Sequence, residues 1–296
     1  MKLFSQHGFF PRGDLGQNFL IDLNIVRYVA EQAFIGPDDV VLEIGTGTGG
    51  LTTFLAPEAA DVVTVEYDEK VFGLARQMLD GLRNVTLINA DALKSKNQLN
   101  PEVMAVVEEK LRVDPDRKLK LVANLPYDVA TPIISNLVAS ELPWVGMVVT
   151  IQLELAQRMT AHPTTASNYG ALSVWLQSQC QLKLLKKLGP QVFWPRPNVD
   201  SAILSIRPDR DRRAAITDRA FFHDLVRAVF TQRRKHLRVG LCSALKGRLD
   251  REAIDRVLAD LGIQPEVRAE QLEVESFVAL ANQLVQELPP RDHAHC

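Results

Sequence analysis

Four consecutive residues, Asn124, Leu125, Pro126 and Tyr127, follow the apolar run 119–123 and soon meet a second proline, Pro132. Ordinary loops favour Gly, Ser and Asp, whereas this one offers an amide, a restricted carbonyl and a flat ring. Those groups suit alkylation of an exocyclic aromatic amine. Adenine N6 is a poor nucleophile because its lone pair is delocalised into the ring. Two acceptors that hold its N–H bonds out of the ring plane favour a pyramidal nitrogen, with the lone pair facing an electrophilic methyl. The side-chain oxygen of Asn124 and the backbone carbonyl of Leu125 are the candidate acceptors. Pro126 restricts Leu125 to extended angles, and Tyr127 offers a stacking face worth about 1–3 kcal/mol. No strong general base is required, since the alkylated nitrogen loses a proton to solvent. In isolation "LPY" also fits a proline turn with a packing aromatic.

A methyl donor needs a pocket, and "EIGTGTGGLT" (43–52) supplies one candidate. Its glycines let the backbone approach a ligand closely, and the helix start behind it offers free N–H groups. Gly45, Gly47 and Gly50 fit G-x-G-x-x-G, with Glu66 near the usual distance downstream. Alone, this loop does not separate a nicotinamide enzyme from an adenosylmethionine enzyme. Glu66 can accept both ribose hydroxyls, and Asp91, inside "NADAL", can accept from an adenine amino group. Three polar strand ends side by side describe one nucleoside lying across a sheet, without a second nucleotide.

The elements that must position these groups alternate. Val40–Gly45, Val62–Tyr67, Val85–Asp91, "KLVAN" and Gly146–Gln152 read as buried strands, with helices such as "GLTTFLAPEA" and "EKVFGLARQML" between them. That pattern predicts a parallel sheet covered on both faces, with ligands at the carboxyl ends of its strands. The stretch Lys94–Lys120 is an elaboration holding one helix. After Ala202–Ile206 comes the charged "RPDRDRRAA", and beyond it the pattern is purely helical. The expected fold class is α/β, a Rossmann-like sheet with a small all-α C-terminal domain. The expected boundaries are a sheet domain over 1–207, a linker over 208–214, a helical domain over 215–288 and a tail over 289–296.

The 296-residue chain is 46% apolar, with a net charge of −2. That is normal for a packed protein, and no stretch reads as a signal peptide or a bilayer span. Its three cysteines are scattered, without zinc spacing, and suit a reducing cytoplasm. No metal and no membrane partner are expected. Between Arg227 and Arg248 lie seven basic residues, including Arg233, Arg234, Lys235 and Arg238, and no Asp or Glu. The bland reading is a solvated helix face; a contact with a polyanion is the alternative.

The chain resembles the ribosomal RNA small-subunit adenine dimethyltransferase family, relatives of erythromycin-resistance methyltransferases and mitochondrial transcription factors. The matching runs are "LGQNFL", "LEIGTGTGGLT", "VEYD", "NADAL", "NLPYDVATP", "QLELAQRM", "YGALSV", "VFWPRPNVDSA" and "FTQRRKHLR". The resemblance implies that Asn18, Leu20, Gly45, Glu66, Asp91 and Asn124 bind S-adenosylmethionine. It implies that Asn124–Tyr127 hold the target adenine and that Phe193 stacks on its other face, as a flipped-out base needs. The implied substrate is two neighbouring adenosines in a hairpin near the 3′ end of 16S RNA, in an assembling 30S particle. A monomer is expected, with the Arg233–Arg238 cluster on RNA phosphates. The sequence departs from the family pattern at Asp14, Leu15, Thr46, Leu153 and Val239, and in its longer Lys94–Lys120 stretch. Competing readings are a resistance-type enzyme acting on large-subunit RNA, a non-catalytic assembly or transcription factor, and a nicotinamide oxidoreductase. The last explains neither "NLPY" nor the basic cluster.

Overall fold

The computed structural model describes residues 17–163 and 168–289, so Asp14, Leu15 and Cys296 lie outside the described residues. The strands are β1 (Phe19–Leu20), β2 (Asp39–Ile44), β3 (Asp61–Glu66), β4 (Val85–Asn89), β5 (Leu93–Ser95), β6 (Gln98–Leu99), β7 (Lys118–Asn124), β8 (Trp144–Gln152), β9 (Cys180–Leu188), β10 (Phe193–Trp194) and β11 (Ser201–Pro208). Seven of them form one sheet, in the order β4-β3-β2-β7-β8-β11-β9. β4, β3, β2, β7 and β8 run parallel, and β11 is antiparallel to β8.

Strand order reverses between β2 and β7, which opens a crevice at their carboxyl ends. Near-continuous Val, Leu and Ile make these strands, because both sheet faces are covered. Val41, Val62, Val122 and Ile203 all lie in one core cluster. The helix after the glycine loop is shorter than the sequence suggests. It spans only Thr52–Leu55, and Pro57 lies just beyond it, where a helix cannot continue cheaply.

The Lys94–Lys120 elaboration is a small β5–β6 hairpin followed by the helix Pro101–Leu111. Asn100 caps that helix, accepting from Glu102 N–H at 3.0 Å, while its Nδ2 donates to the Asp91 carbonyl at 2.7 Å. Lys110 and Arg117 both reach Asp61 at the start of β3, at 3.1 and 2.6 Å. The elaboration is thereby fastened to β3, the strand that ends in Glu66, and to Asp91 itself.

The chain divides into two compact units. The first holds the described residues up to Ala156 plus Leu182–Pro208; the second holds the described residues of 157–181 and those from Asp209 onward. The second unit thus takes in a segment, 157–181, from ahead of the expected boundary. The expected 208–214 linker contains the helix Arg210–Ala214. Further helices, Arg219–Thr231, Leu237–Ala244, Arg251–Asp260 and Val274–Glu287, bury Phe222, Leu241, Ile254 and Phe277. Asp218 and Asp250 cap two of them through their side chains.

Candidate active site

One cavity of about 330 Å³ opens at the carboxyl ends of β2, β3, β4 and β7. Asn18, Gly45, Gly47, Glu66, Asp91, Asn124, Leu125, Pro126 and Tyr127 all line it. The sequence expectation separated these residues by more than a hundred positions; the sheet brings them to one wall.

The glycine loop is shaped by backbone needs. Gly45, Gly47 and Gly49 have φ of +83°, +58° and +84°, a region L side chains avoid. A Cβ on Gly45 would lie 3.3 Å from Pro126 Cδ, so the loop seats directly against the proline of "NLPY". At Gly49 it would lie 2.8 Å from Leu79. Gly50 has neither a positive φ nor a near neighbour. The constrained spacing is therefore G-x-G-x-G, not the G-x-G-x-x-G read from the sequence.

Glu66 ends β3, 7% exposed. Its Oε2 accepts from Gly47 N–H at 2.9 Å and its Oε1 from Asp68 N–H at 3.0 Å. Burial raises its pKa above the ordinary value, against the pull of those two bonds. Asp91 is exposed, and its Oδ1 accepts from Leu93 N–H at 2.9 Å.

Asn124 ends β7. Its Nδ2 donates to the Asn18 carbonyl at 2.9 Å, and among the described residues no bond engages its Oδ1. Leu125 is 1% exposed, and its N–H donates to the Thr150 carbonyl of β8 at 3.1 Å. Pro126, at φ −56° and ψ 134°, turns the chain into the helix Tyr127–Ala139. Tyr127 Oη lies 2.8 Å from Ser201 Oγ, and burial raises the phenol's pKa.

Two expected site residues do not line this cavity, although Leu20 lines a smaller pocket together with Gly45, Gly47 and Asn124. Leu20 and Phe193 pair with each other across the β1–β10 ladder, outside the set that lines the cavity. Phe193 is 1% exposed inside the core cluster, not open to a ligand. Side chains alternate along a strand, so the next residue, Trp194, points the other way and stacks on Phe19 at 6.5 Å. Phe19 does line the cavity, and a Cβ on Gly47 would touch its ring at 3.2 Å.

Arg233, Arg234, Lys235 and Arg238 lie in the second unit. The first three occupy the exposed turn between two helices, not a helix face. Distant acids partner two members of the cluster: Glu270 lies 3.9 Å from Arg233 and Asp255 3.3 Å from Arg238.

Sequence reasoning passed over Glu43. It is 1% exposed near the end of β2, and its Oε2 accepts from Thr52 and Thr64, both at 2.6 Å. Burial is the main cause that pushes its carboxyl up to about 7. The available signal was an acid inside the apolar run "VVLEIG". Ser201, beneath Tyr127, had no signal beyond its place in a quoted motif.

A profile of the ribosomal RNA adenine dimethylase family matches residues 9–286. Proteins called "Ribosomal RNA small subunit methyltransferase A" from Bacillus mycoides and Bacillus cereus are 38% and 39% identical to it. Each alignment covers 96% of this chain and 94% of the relative. Among solved structures, a dimethyladenosine transferase from Plasmodium falciparum superposes with a TM-score of 0.74 at 24% identity. That match covers 91% of this chain and 98% of the other. The 23S rRNA methyltransferase ErmE matches at 0.64 and 25% identity, over 91% and 100%.

Proposed function

The chain belongs to the ribosomal RNA adenine dimethylase family, and on that premise we propose how its cavity divides the work. The protein is an S-adenosylmethionine-dependent methyltransferase that acts on adenine N6 of small-subunit ribosomal RNA. The finer reading is that two neighbouring adenosines in a hairpin near the RNA's 3′ end each become N6,N6-dimethyladenosine. The setting is an assembling 30S particle in the cytoplasm, with the enzyme a monomer.

S-adenosylmethionine supplies a methyl group bonded to a positively charged sulfur. The cavity's chemistry suits it: a side-chain-free cradle at Gly45 and Gly47, a buried carboxylate at Glu66 and an exposed one at Asp91. Its volume lies at the small end of the roughly 300–1,000 Å³ usual for ligand pockets. Glu66 uses one lone pair of each oxygen on backbone N–H groups, and the others accept from ribose hydroxyls. Asp91 keeps Oδ2 for an adenine amino group. Asn18 contributes from just ahead of β1 and Leu20 from β1 itself, through its pairing with β10.

One observation carries the catalytic reading. The Asn124 Nδ2 donates to the Asn18 carbonyl, which leaves Oδ1 as the atom to accept from the target N6 amine. The carbonyl of Leu125 is the second acceptor. Its residue is held by the Thr150 bond on one side and by Pro126 on the other. Tyr127 stacks on the base. These groups position and polarise, which is what a reaction without an enzymic base requires. Phe193 reaches the opposite face of the base only if it leaves the core. The exposed turn Arg233–Lys235, with Arg238, contacts RNA phosphates.

The test is to incubate the protein with labelled S-adenosylmethionine and a mixture of under-methylated small subunits and large subunits, then map the modified nucleotides. Two adjacent dimethyladenosines near the 3′ end support the reading. Label confined to large-subunit RNA, or binding of both ligands without transfer, would overturn it.

A further inference from the structure

The phenol of Tyr127 has a partner that stacking alone does not call for. Its Oη lies 2.8 Å from Ser201 Oγ, on a side chain with 0% exposure at the first residue of β11. A phenylalanine would present the same face to a base. Ser201 is itself held firmly. Its backbone registers with Gln152 at the end of β8, and the carbonyl of its neighbour Asp200 accepts from Leu153 N–H at 2.9 Å. β8 is also the strand whose Thr150 carbonyl holds the Leu125 N–H. The ring and the Leu125 carbonyl are thus both referred to the same pair of strands.

We infer that Ser201 is a positioning residue for methyl transfer: it pins the far end of the Tyr127 ring, so that the stacking face is set before the adenine arrives. This rests on the reading that Tyr127 stacks on the target base. An aromatic ring joined to its helix only through Cβ must lose torsional freedom when a base docks. A second anchor at the opposite end removes that loss in advance. The hydroxyl's task is then mechanical. Burial holds it in the neutral form, which can share a proton with Ser201 without releasing one.

A double-mutant cycle tests this. Ser201→Ala and Tyr127→Phe should each lower kcat on under-methylated small subunits about five- to tenfold. S-adenosylmethionine affinity, measured by calorimetry, should stay within about twofold in both. The double variant should be no slower than the slower single one. Ser201→Ala leaves a phenol unpaired and should lower Tm; adding Tyr127→Phe should recover part of it, because both polar partners are then gone. If Ser201→Ala fails to fold, Tyr127→Phe, which keeps the ring's shape, carries the kinetic arm. Rate losses that multiply, or a fall in Tm with kcat unchanged, would overturn the inference. Tyr127→Ala separates the two levels. Full activity in that variant would sink the stacking reading itself, whereas a crippled Tyr127→Ala beside an active Tyr127→Phe sinks only the role of Ser201.

Discussion

Asn124 is the residue at which binding and chemistry come apart. Its side chain lines the cavity beside the glycine loop, and its Oδ1 is the proposed acceptor for the reacting amine. Asn124→Ala should therefore lower kcat about 10²- to 10³-fold, the usual effect of removing one preorganised polar group. S-adenosylmethionine affinity should change only a few-fold. Equal losses in single-turnover rate and in calorimetric affinity would show that its role is cofactor binding alone. That Asn124 to Tyr127 would meet at one cavity was legible beforehand, because Asn, Pro and an aromatic in a row after an apolar strand have few structural reasons to occur together. Phe193 was not legible. Which face of a two-residue strand turns inward depends on its partner, and β10 pairs with β1, a segment of chain more than 170 residues away.

At the level of elements, the turn between the helices Arg219–Thr231 and Leu237–Ala244 presents Arg233, Arg234 and Lys235 together. Changing all three to Ala should weaken binding to small-subunit RNA and flatten its dependence on salt. The log–log slope should fall by about 0.7–0.9 for each phosphate that is no longer neutralised. A filter-binding titration across salt concentrations reads this directly, and an unchanged slope would make the turn a bystander. The helical run was readable from its period. So was a break after Phe230; what was not readable is that Lys235 belongs to the turn and not to the next helix, because the triad is polar throughout and carries no apolar position to mark where the helix resumes. β9 went unread for a related reason. It closes one edge of the sheet, and lysines on its exposed positions, which discourage edge-to-edge pairing, blur the alternation that marks a strand. The Lys94–Lys120 elaboration was visible as extra length, but its attachment to Asp61 and Asp91 depends on ion pairs and a cap that only folding brings together.

For the molecule as a whole, the carboxyl of Glu43 links stability to pH. Burial raises its pKa from 4.5 to about 7; bonds from Thr52 and Thr64 oppose that rise, and the charge of Glu66 adds to it. Below about pH 4.5 the group is protonated both folded and unfolded, and its contribution is fully present. As pH rises towards 7 the unfolded chain ionises while the folded sheet keeps its proton, so stability falls, by an amount on the order of 3 kcal/mol. Glu43→Gln retains an oxygen for both threonines. It should therefore remove this fall, so that its Tm gains on the parent protein between about pH 5 and about pH 8. A constant offset across that range would mean that Glu43 ionises normally. The division into a parallel sheet and a helical tail was legible from the alternation of apolar runs alone. The membership of 157–181 in the helical unit was not, since it depends on contacts such as Tyr169 Oη to the Leu272 carbonyl, 103 positions apart. A different long-range bond has the larger consequence. Because the carbonyl of Asn18 receives an amide 106 positions away, the role proposed for Asn124 would bring an interlock with it: until the segment that leads into β1 is seated, that amide would be at liberty to turn over and show hydrogens where an oxygen is wanted. A half-assembled molecule would then hold its reagent safely idle.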